Sequence, residues 1–222
     1  LTSLSLTALR SRTMLLMLAG VALVAMANTL TYVMLGLEYL YGLTVLQAAV
    51  ALVPAQAAAV VGAKVVAGRM MGRWGTPRAG RVMLGGFAIT MLSLVLVSAT
   101  SPMWMLVVAS SLFSLFGFGS ITVVNAAVMS SAPAGAAGMV SAYRGAASSL
   151  GTAFSVVILG AAVTAVVTAT STSAAGEQPD PAALANGLRV DGLVGSAIAG
   201  LAWAAFTLAM RRRGAEAVAQ PA

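Results

Sequence analysis

Two long apolar stretches of the sequence carry polar side chains that recur on one helical face. With about 100° between successive helical residues, each set of side chains falls within about 120°. The set in residues 13–39 is Asn28, Thr31, Tyr32, Glu38 and Tyr39, and the set in residues 103–128 is Ser110, Ser111, Ser114, Phe118, Thr122 and Asn125. Such side chains can hydrogen-bond a ligand, and polar groups in hydrocarbon are costly unless they face protein or water. We therefore expect the two faces to line one cavity.

The alternative is that these groups only hold helices together. Ser and Thr hydroxyls can bond to carbonyls of their own helix, and amides can join neighbouring helices. The cavity candidates are Asn28, Thr31, Tyr32, Gln56, Ser114, Phe118 and Asn125. Of these, Gln56 comes from a third apolar stretch, residues 44–67, and bonding between helices is its alternative role.

Glu38 is the only carboxylate in a stretch expected to cross a membrane. Coupling to protons needs a group that changes charge, so Glu38 is the candidate for proton coupling. Its position near one end of the stretch would also allow full solvation of the carboxylate, and that alternative stays open. Lys64 and Arg144 are expected to extend toward the cytoplasmic interface rather than to bind a substrate.

The composition excludes several classes of protein. Hydrophobic residues make up 60% of the 222 residues and charged residues 8%, whereas soluble domains have about 45–50% and about 25%. The net charge of +7 does not predict a nucleic-acid-binding protein, because the basic residues lie at the ends of apolar runs. With no Cys and no His, the chain lacks thiol nucleophiles and the commonest metal ligand, and no nucleophile–base pair lies within the apolar runs. We expect neither an enzyme nor a cofactor or metal site.

The hydrophobic pattern predicts an all-α integral membrane protein with six transmembrane helices. Each run is of a length suited to about 30 Å of hydrocarbon. The runs are 13–39, 44–67, 82–98, 103–128, 136–167 and 192–210. Around them we predict a cytoplasmic flank at 1–12, a basic cytoplasmic loop at 68–81, an outer loop at 168–191 and a cytoplasmic tail at 211–222.

The distribution of charge predicts which ends are cytoplasmic. With six crossings, 11 of the 12 basic residues fall on one side, and Arg189 is the exception. Basic residues accumulate on the cytoplasmic side of membrane proteins, so both termini are predicted there, in the cell (inner) membrane. The predicted outer side collects Glu38, Glu177, Asp180 and Asp191.

Two series of small residues predict close helix packing. One is Gly138, Ser141, Gly145, Ser149 and Thr152, and the other is Gly192, Ser196 and Gly200. Small side chains let helix backbones approach closely where lipid supplies no hydrophobic contrast.

The basic segment 68–81 resembles a loop motif of the major facilitator superfamily. Gly68, Arg73 and Gly75 match the motif, and Arg78 is a displaced match to one of its basic positions. The motif's Asp is replaced by Gly72 and a further basic position by Thr76. The segments LEYLYGLTVLQAAVALVP before it and NAAVMSSAPAGAAGMVSAYRGAASSLGTAFSVVILG after it resemble the same family's C-terminal half. The resemblance covers about residues 36–163 and is greatest to the fourteen-helix drug:proton antiporter branch.

This resemblance implies the C-terminal half-domain of a secondary transporter that works by alternating access. It implies efflux of hydrophobic or cationic drug-like compounds, proton coupling, and a missing N-terminal half or partner half. The same family often has Gln at the position of Glu38, which does not support Glu38 as a proton carrier. The chain begins with Leu, so we expect further sequence upstream. The alternative function is a truncated or non-transporting membrane scaffold with the same helices.

Overall fold

The computed structural model describes residues 12–27, 30–132, 135–171 and 180–219, without the side chains of Thr31 and residues 216–219. Within these ranges the chain forms helices and turns and no strand, which confirms the all-α class. The helices are α1 (Arg12–Met26), α2 (Leu30–Tyr41), α3 (Val45–Ala51), α4 (Val53–Val60), a π-helical segment (Val61–Val66), α5 (Ala67–Leu92), a 3₁₀ turn (Ser93–Leu96), α6 (Met103–Met129), α7 (Ala137–Thr170) and α8 (Pro181–Ala219).

Four helical stretches are long and apolar enough to cross a membrane. They are Val45–Leu96, Met103–Met129, Ala137–Thr170 and Pro181–Ala215, and α1 is a shorter apolar helix. A multi-pass membrane protein is thereby confirmed, whereas the count of six crossings stays a prediction. The stretch Val45–Leu96 has 52 residues, or about 78 Å at 1.5 Å per residue, more than twice the hydrocarbon thickness.

Gly75 divides this long stretch within its basic segment. Its backbone has φ 75° and ψ 161°, a conformation outside the helical region that Gly adopts without a steric penalty. Pro77 follows two residues later, where its fixed φ suits the start of a new helix. The residues on both sides are helical, so segment 68–81 consists of two helix ends that meet at Gly75.

The start of α3 and the break between α3 and α4 each have a local cause. Thr44 caps α3 through a capping box, since its side chain accepts from the Gln47 backbone N–H while the Gln47 side chain accepts from the Thr44 N–H. Pro54 lies in the first turn of α4, where its missing N–H is tolerated. Gln47 is therefore a capping residue.

The core lies between α1, α5, α6 and α8, and α1 packs along α8. Phe87 of α5 stacks on Phe113 of α6, with ring centroids 6.1 Å apart. Gly62, in the π-helical segment, lies so close to α6 that an added Cβ would collide with the Leu115 carbonyl oxygen. The two helices come this close because glycine has no side chain, as expected for packing in a membrane.

Helix α7 is the least buried of the four membrane-length stretches. In its most apolar 18-residue stretch, 17% is buried. An added Cβ on Gly151 would collide with the Ala22 carbonyl oxygen of α1, so this face of α7 packs tightly. Gly138 and Gly145 have nothing within 4 Å of an added Cβ, and Ser149 and Thr152 are exposed. The predicted small-residue face of α7 is open in this chain.

Apart from Arg189, the described arginines lie at one end of the helix bundle, which we call the basic end. Arg213 of α8 donates to the Ser130 carbonyl oxygen at the end of α6 over 2.8 Å. Ser131 donates to the sulfur of Met17 in α1 over 3.3 Å. The end of α8, the end of α6 and the start of α1 therefore lie together.

Candidate transport cavity

A cavity of about 330 Å³ opens between α2, α7 and α8, away from the basic end. Its volume is near the lower limit for small-molecule sites, about 300 Å³. The wall is almost entirely apolar, and its residues are Tyr32, Leu35, Gly36, Tyr39, Val163, Thr164, Val167, Thr168, Leu184 and Leu188.

Close approach of the helices fixes the floor of this cavity. An added Cβ on Gly36 would lie 2.9 Å from Leu188 Cδ1, and one on Gly187 would lie 2.9 Å from Val167 Cγ2. Two glycines thus let α8 fit against both α2 and α7. The Leu188 side chain is buried at this junction and belongs to a second core cluster.

Two phenol groups supply the polar character of the wall. The Tyr32 hydroxyl lies 3.5 Å from the Val156 carbonyl oxygen of α7, and Tyr39 is 46% exposed. The Thr168 hydroxyl instead donates to the Thr164 carbonyl oxygen of its own helix over 2.8 Å. The cavity can therefore hold an apolar molecule against aromatic rings, with few polar groups to orient it.

The predicted cavity residues are distributed over different parts of the structure. Tyr32 lies in the wall of the cavity, and Asn125 lines a separate small crevice with Val21 and Ser148. Ser114 is buried inside the helix bundle, Phe118 is half-buried in α6, and Gln56 is exposed on α4. Asn28 and the side chain of Thr31 lie outside the described residues. The assignment of these residues to one substrate cavity stays a prediction.

Several hydroxyls of the α6 stripe bond within their own helix. Ser110 and Ser111 donate to the Val107 carbonyl oxygen over 2.9 and 2.7 Å, and Thr122 donates to the Phe118 carbonyl oxygen over 3.0 Å. For these three residues the structure supports the alternative stated above, bonding within the helix.

Glu38 lies on α2 and is half-buried. The motif residues Gly68, Arg73, Gly75 and Arg78 are exposed. Arg81, which follows them, donates through Nε to the Pro77 carbonyl oxygen over 3.3 Å and so stabilises the first turn after Gly75.

Asp191 is the residue that sequence reasoning missed. It was expected in the outer polar loop, but it lies inside α8 with 0% of its surface exposed. Neither carboxylate oxygen has a hydrogen-bond partner within the described ranges. The sequence did contain a signal for burial, because the residues next to Asp191 in the chain, Val190, Gly192 and Leu193, are not polar.

Comparison with known proteins identifies the family. The model of the Major Facilitator Superfamily matches residues 2–156, more than half of the chain. A search of curated proteins found no match. The resemblance inferred from the basic segment is thus confirmed at the level of the superfamily, and with it the prediction of a membrane transporter. The chain belongs to the Major Facilitator Superfamily.

Proposed function

We propose that the chain is the C-terminal half of a secondary transporter that exports hydrophobic or cationic drug-like compounds in exchange for protons. The observation that carries this proposal is the apolar cavity between α2, α7 and α8. Apolar walls suit a hydrophobic compound, and the faces of Tyr32 and Tyr39 can attract an organic cation.

Alternating access requires a second half that rocks against this one. The open face of α7 supports such a partner, because Gly138 and Gly145 have nothing within 4 Å of an added Cβ. Small residues allow another helix to approach this face closely. We assign the face to the partner half, which would enclose the substrate between the two domains.

The proposed topology has six crossings of the inner membrane, with both termini in the cytoplasm. Helices α1 and α2 form the first crossing, and the stretch Val45–Leu96 forms two crossings divided at Gly75. Helices α6, α7 and α8 supply the other three. The contacts of Arg213 and Ser131 support this arrangement, because they join helix ends predicted to lie on one side.

Filling the cavity tests the site. Leu184→Trp adds bulk to the cavity wall, and Leu193→Trp adds the same bulk at a position of α8 that is 51% exposed and outside the wall. We expect Leu184→Trp to slow efflux of ethidium from cells by about tenfold at equal membrane levels, because overpacking a site costs about 1–3 kcal/mol. Leu193→Trp should behave as the unchanged protein.

Equal efflux by both variants would contradict the assignment of the cavity. Absence of ethidium efflux above that of cells without the protein, for a panel of hydrophobic cations as well, would favour the scaffold alternative.

The topology can be tested by cysteine labelling, since the chain has no Cys of its own. Single replacements at Trp74, Thr100 and Ala215 use exposed positions. We expect an impermeant maleimide to label Thr100→Cys in intact cells, and Trp74→Cys and Ala215→Cys only after the membrane is opened. Labelling of Trp74→Cys and Ala215→Cys from opposite sides would contradict six crossings.

A further inference from the structure

Helix α8 buries a carboxyl group that the proposed cavity does not account for. Asp191 is fully buried, and both of its oxygens lack a hydrogen-bond partner among the described residues. Burial of an ionised carboxylate without a partner costs several kcal/mol, and a neutral carboxyl group costs far less. A residue that only stabilised the fold would be expected to have its oxygens bonded.

No described cation neutralises this carboxyl group. Arg189 is the nearest basic residue in the sequence, but its Nε donates to the Val97 carbonyl oxygen over 3.0 Å. Its NH1 lies 3.5 Å from the Asn186 Oδ1. The guanidinium group is therefore bound to the 3₁₀ turn region and to its own helix.

Among the described residues of α2, Tyr32 is the titratable group that lies closest to the level of Asp191 on α8. Gly36 of α2 contacts Leu188 of α8, and Tyr32 and Asp191 each lie about one turn from this contact, toward the basic end. Glu38, Tyr39 and Tyr41 follow later on α2, toward the end remote from the arginines.

The other packed helices have their titratable groups at the basic end. These are Arg12 on α1, Lys64 on the π-helical segment, Arg69, Arg73, Arg78 and Arg81 on α5, and Tyr143 and Arg144 on α7. On α8 itself, Arg211, Arg212 and Arg213 also lie at that end. Gly192, next to Asp191, packs against Leu94 and the Met91 carbonyl oxygen, where α5 and the 3₁₀ turn carry no titratable residue.

The position of Tyr32 connects Asp191 to the cavity. Tyr32 lines the cavity wall, and the contact of Gly36 with Leu188 places it about level with Asp191 on the neighbouring helix. Among the described residues its hydroxyl makes one long contact, 3.5 Å to the Val156 carbonyl oxygen. Movement of this one ring would bring water from the cavity toward the carboxyl group.

We propose that Asp191 is the proton-binding residue of this half-transporter, gated by Tyr32. A proton from water in the cavity adds to one carboxylate oxygen, and the O–H bond breaks again when alternating access exposes the group to water on the other side. This inference rests on the proposed proton-coupled efflux. It replaces Glu38 as the coupling group, because half-exposed Glu38 can be solvated without any change of conformation.

The test compares Asp191→Asn with Glu38→Gln in the complete transporter, reconstituted in vesicles with an imposed pH gradient. We expect Asp191→Asn to lose at least about tenfold in gradient-driven ethidium transport while it still lets ethidium equilibrate downhill. Glu38→Gln should keep the gradient dependence of the unchanged protein. An Asn side chain has nearly the shape of Asp, so a purely structural role would leave the coupling intact.

A direct readout of the proton comes from infrared spectroscopy. In difference spectra we expect one component of the protonated-carboxyl carbonyl stretch to titrate in the unchanged protein and in Glu38→Gln, and this component to be missing in Asp191→Asn. If Asp191→Asn does not fold, Asp191→Glu serves instead, since it keeps a carboxyl group and should couple transport with a shifted pH profile.

The outcomes separate the two proposals. Full gradient dependence in Asp191→Asn, an unchanged pH profile in Asp191→Glu, or an unchanged infrared titration in Asp191→Asn would overturn the role of Asp191 and leave proton-coupled efflux standing. Transport by the unchanged protein that ignores the pH gradient would overturn proton coupling itself, and this inference with it.

Discussion

Helices α6 and α7 are both long and apolar, but the chain packs them very differently. In the most apolar 18-residue stretch of each helix, 50% of α6 is buried and 17% of α7, although this stretch of α7 is the more apolar of the two. In water the more apolar helix would be the more buried one. Within lipid, apolarity only places a helix in the membrane, and side-chain size and shape decide which helices pack together.

The contacts of the two helices show this difference. Helix α6 packs on both sides, through Phe113 against Phe87 and through the close approach of Leu115 to Gly62. Helix α7 packs through one narrow face, on which Gly151, Ser155 and Leu159 recur every four residues and are buried. The rest of α7 is available to lipid or to another domain.

The largest expected effect comes from removing an aromatic ring from each helix. Phe113 is 3% exposed on α6 and Phe154 is 54% exposed on α7. We expect Phe113→Ala to lower the free energy of unfolding by about 3 kcal/mol, since it leaves a cavity beside Phe87. Phe154→Ala should lower it by less than about 0.5 kcal/mol. Unfolding by SDS in mixed micelles measures both, and equal losses would break the comparison.

A smaller effect is expected from adding one methyl group at a glycine. Gly62→Ala forces the π-helical segment away from the Leu115 carbonyl oxygen, and overpacking of this kind costs about 1–3 kcal/mol. Gly145→Ala on α7 meets nothing within 4 Å and should be neutral or slightly stabilising. The same unfolding assay applies. A destabilised Gly145→Ala would show that α7 is already covered on this face by other helices of the chain.

The smallest effect concerns hydrogen bonds between and within helices. Ser196 of α8 donates to the Ala88 carbonyl oxygen of α5 over 2.9 Å, whereas Thr152 donates to the Ser148 carbonyl oxygen of α7 itself. We expect Ser196→Ala to cost about 0.6 kcal/mol, a typical value for a hydrogen bond between membrane helices. Thr152→Val keeps the side-chain shape and should change the free energy of unfolding by less. A greater loss of unfolding free energy in Thr152→Val than in Ser196→Ala would contradict this difference between the two kinds of hydrogen bond.

The sequence predicted the features that depend on composition and local pattern. The apolar runs predicted an all-α membrane protein, and the basic segment around Arg73 predicted the superfamily. Local rules also account for the cap at Thr44 and the break at Gly75, because turn and capping chemistry involves only neighbouring residues.

Features that depend on tertiary contact were not predictable in the same way. The burial of Asp191 depends on the helices packed against α8, such as α5, whose Met91 lies against the neighbouring Gly192, and composition alone grouped Asp191 with the polar segment before it. The positions of Ser114 and Gln56, one buried and one exposed, likewise depend on which helix lies beside them. Periodicity identifies a shared face but does not say what that face meets.

The packing of α1 along α8 has a consequence for synthesis in the cell. Residues 27–180 separate the two helices. At a translation rate of about 5–20 residues per second, synthesis of α8 begins roughly 8 to 30 s after α1 is complete. Met17 and Val21, buried in the finished protein, must meanwhile contact lipid, another nascent helix or the insertion machinery. The contacts between α1 and α8 are therefore far apart in the sequence, and their formation has to follow translation of α8.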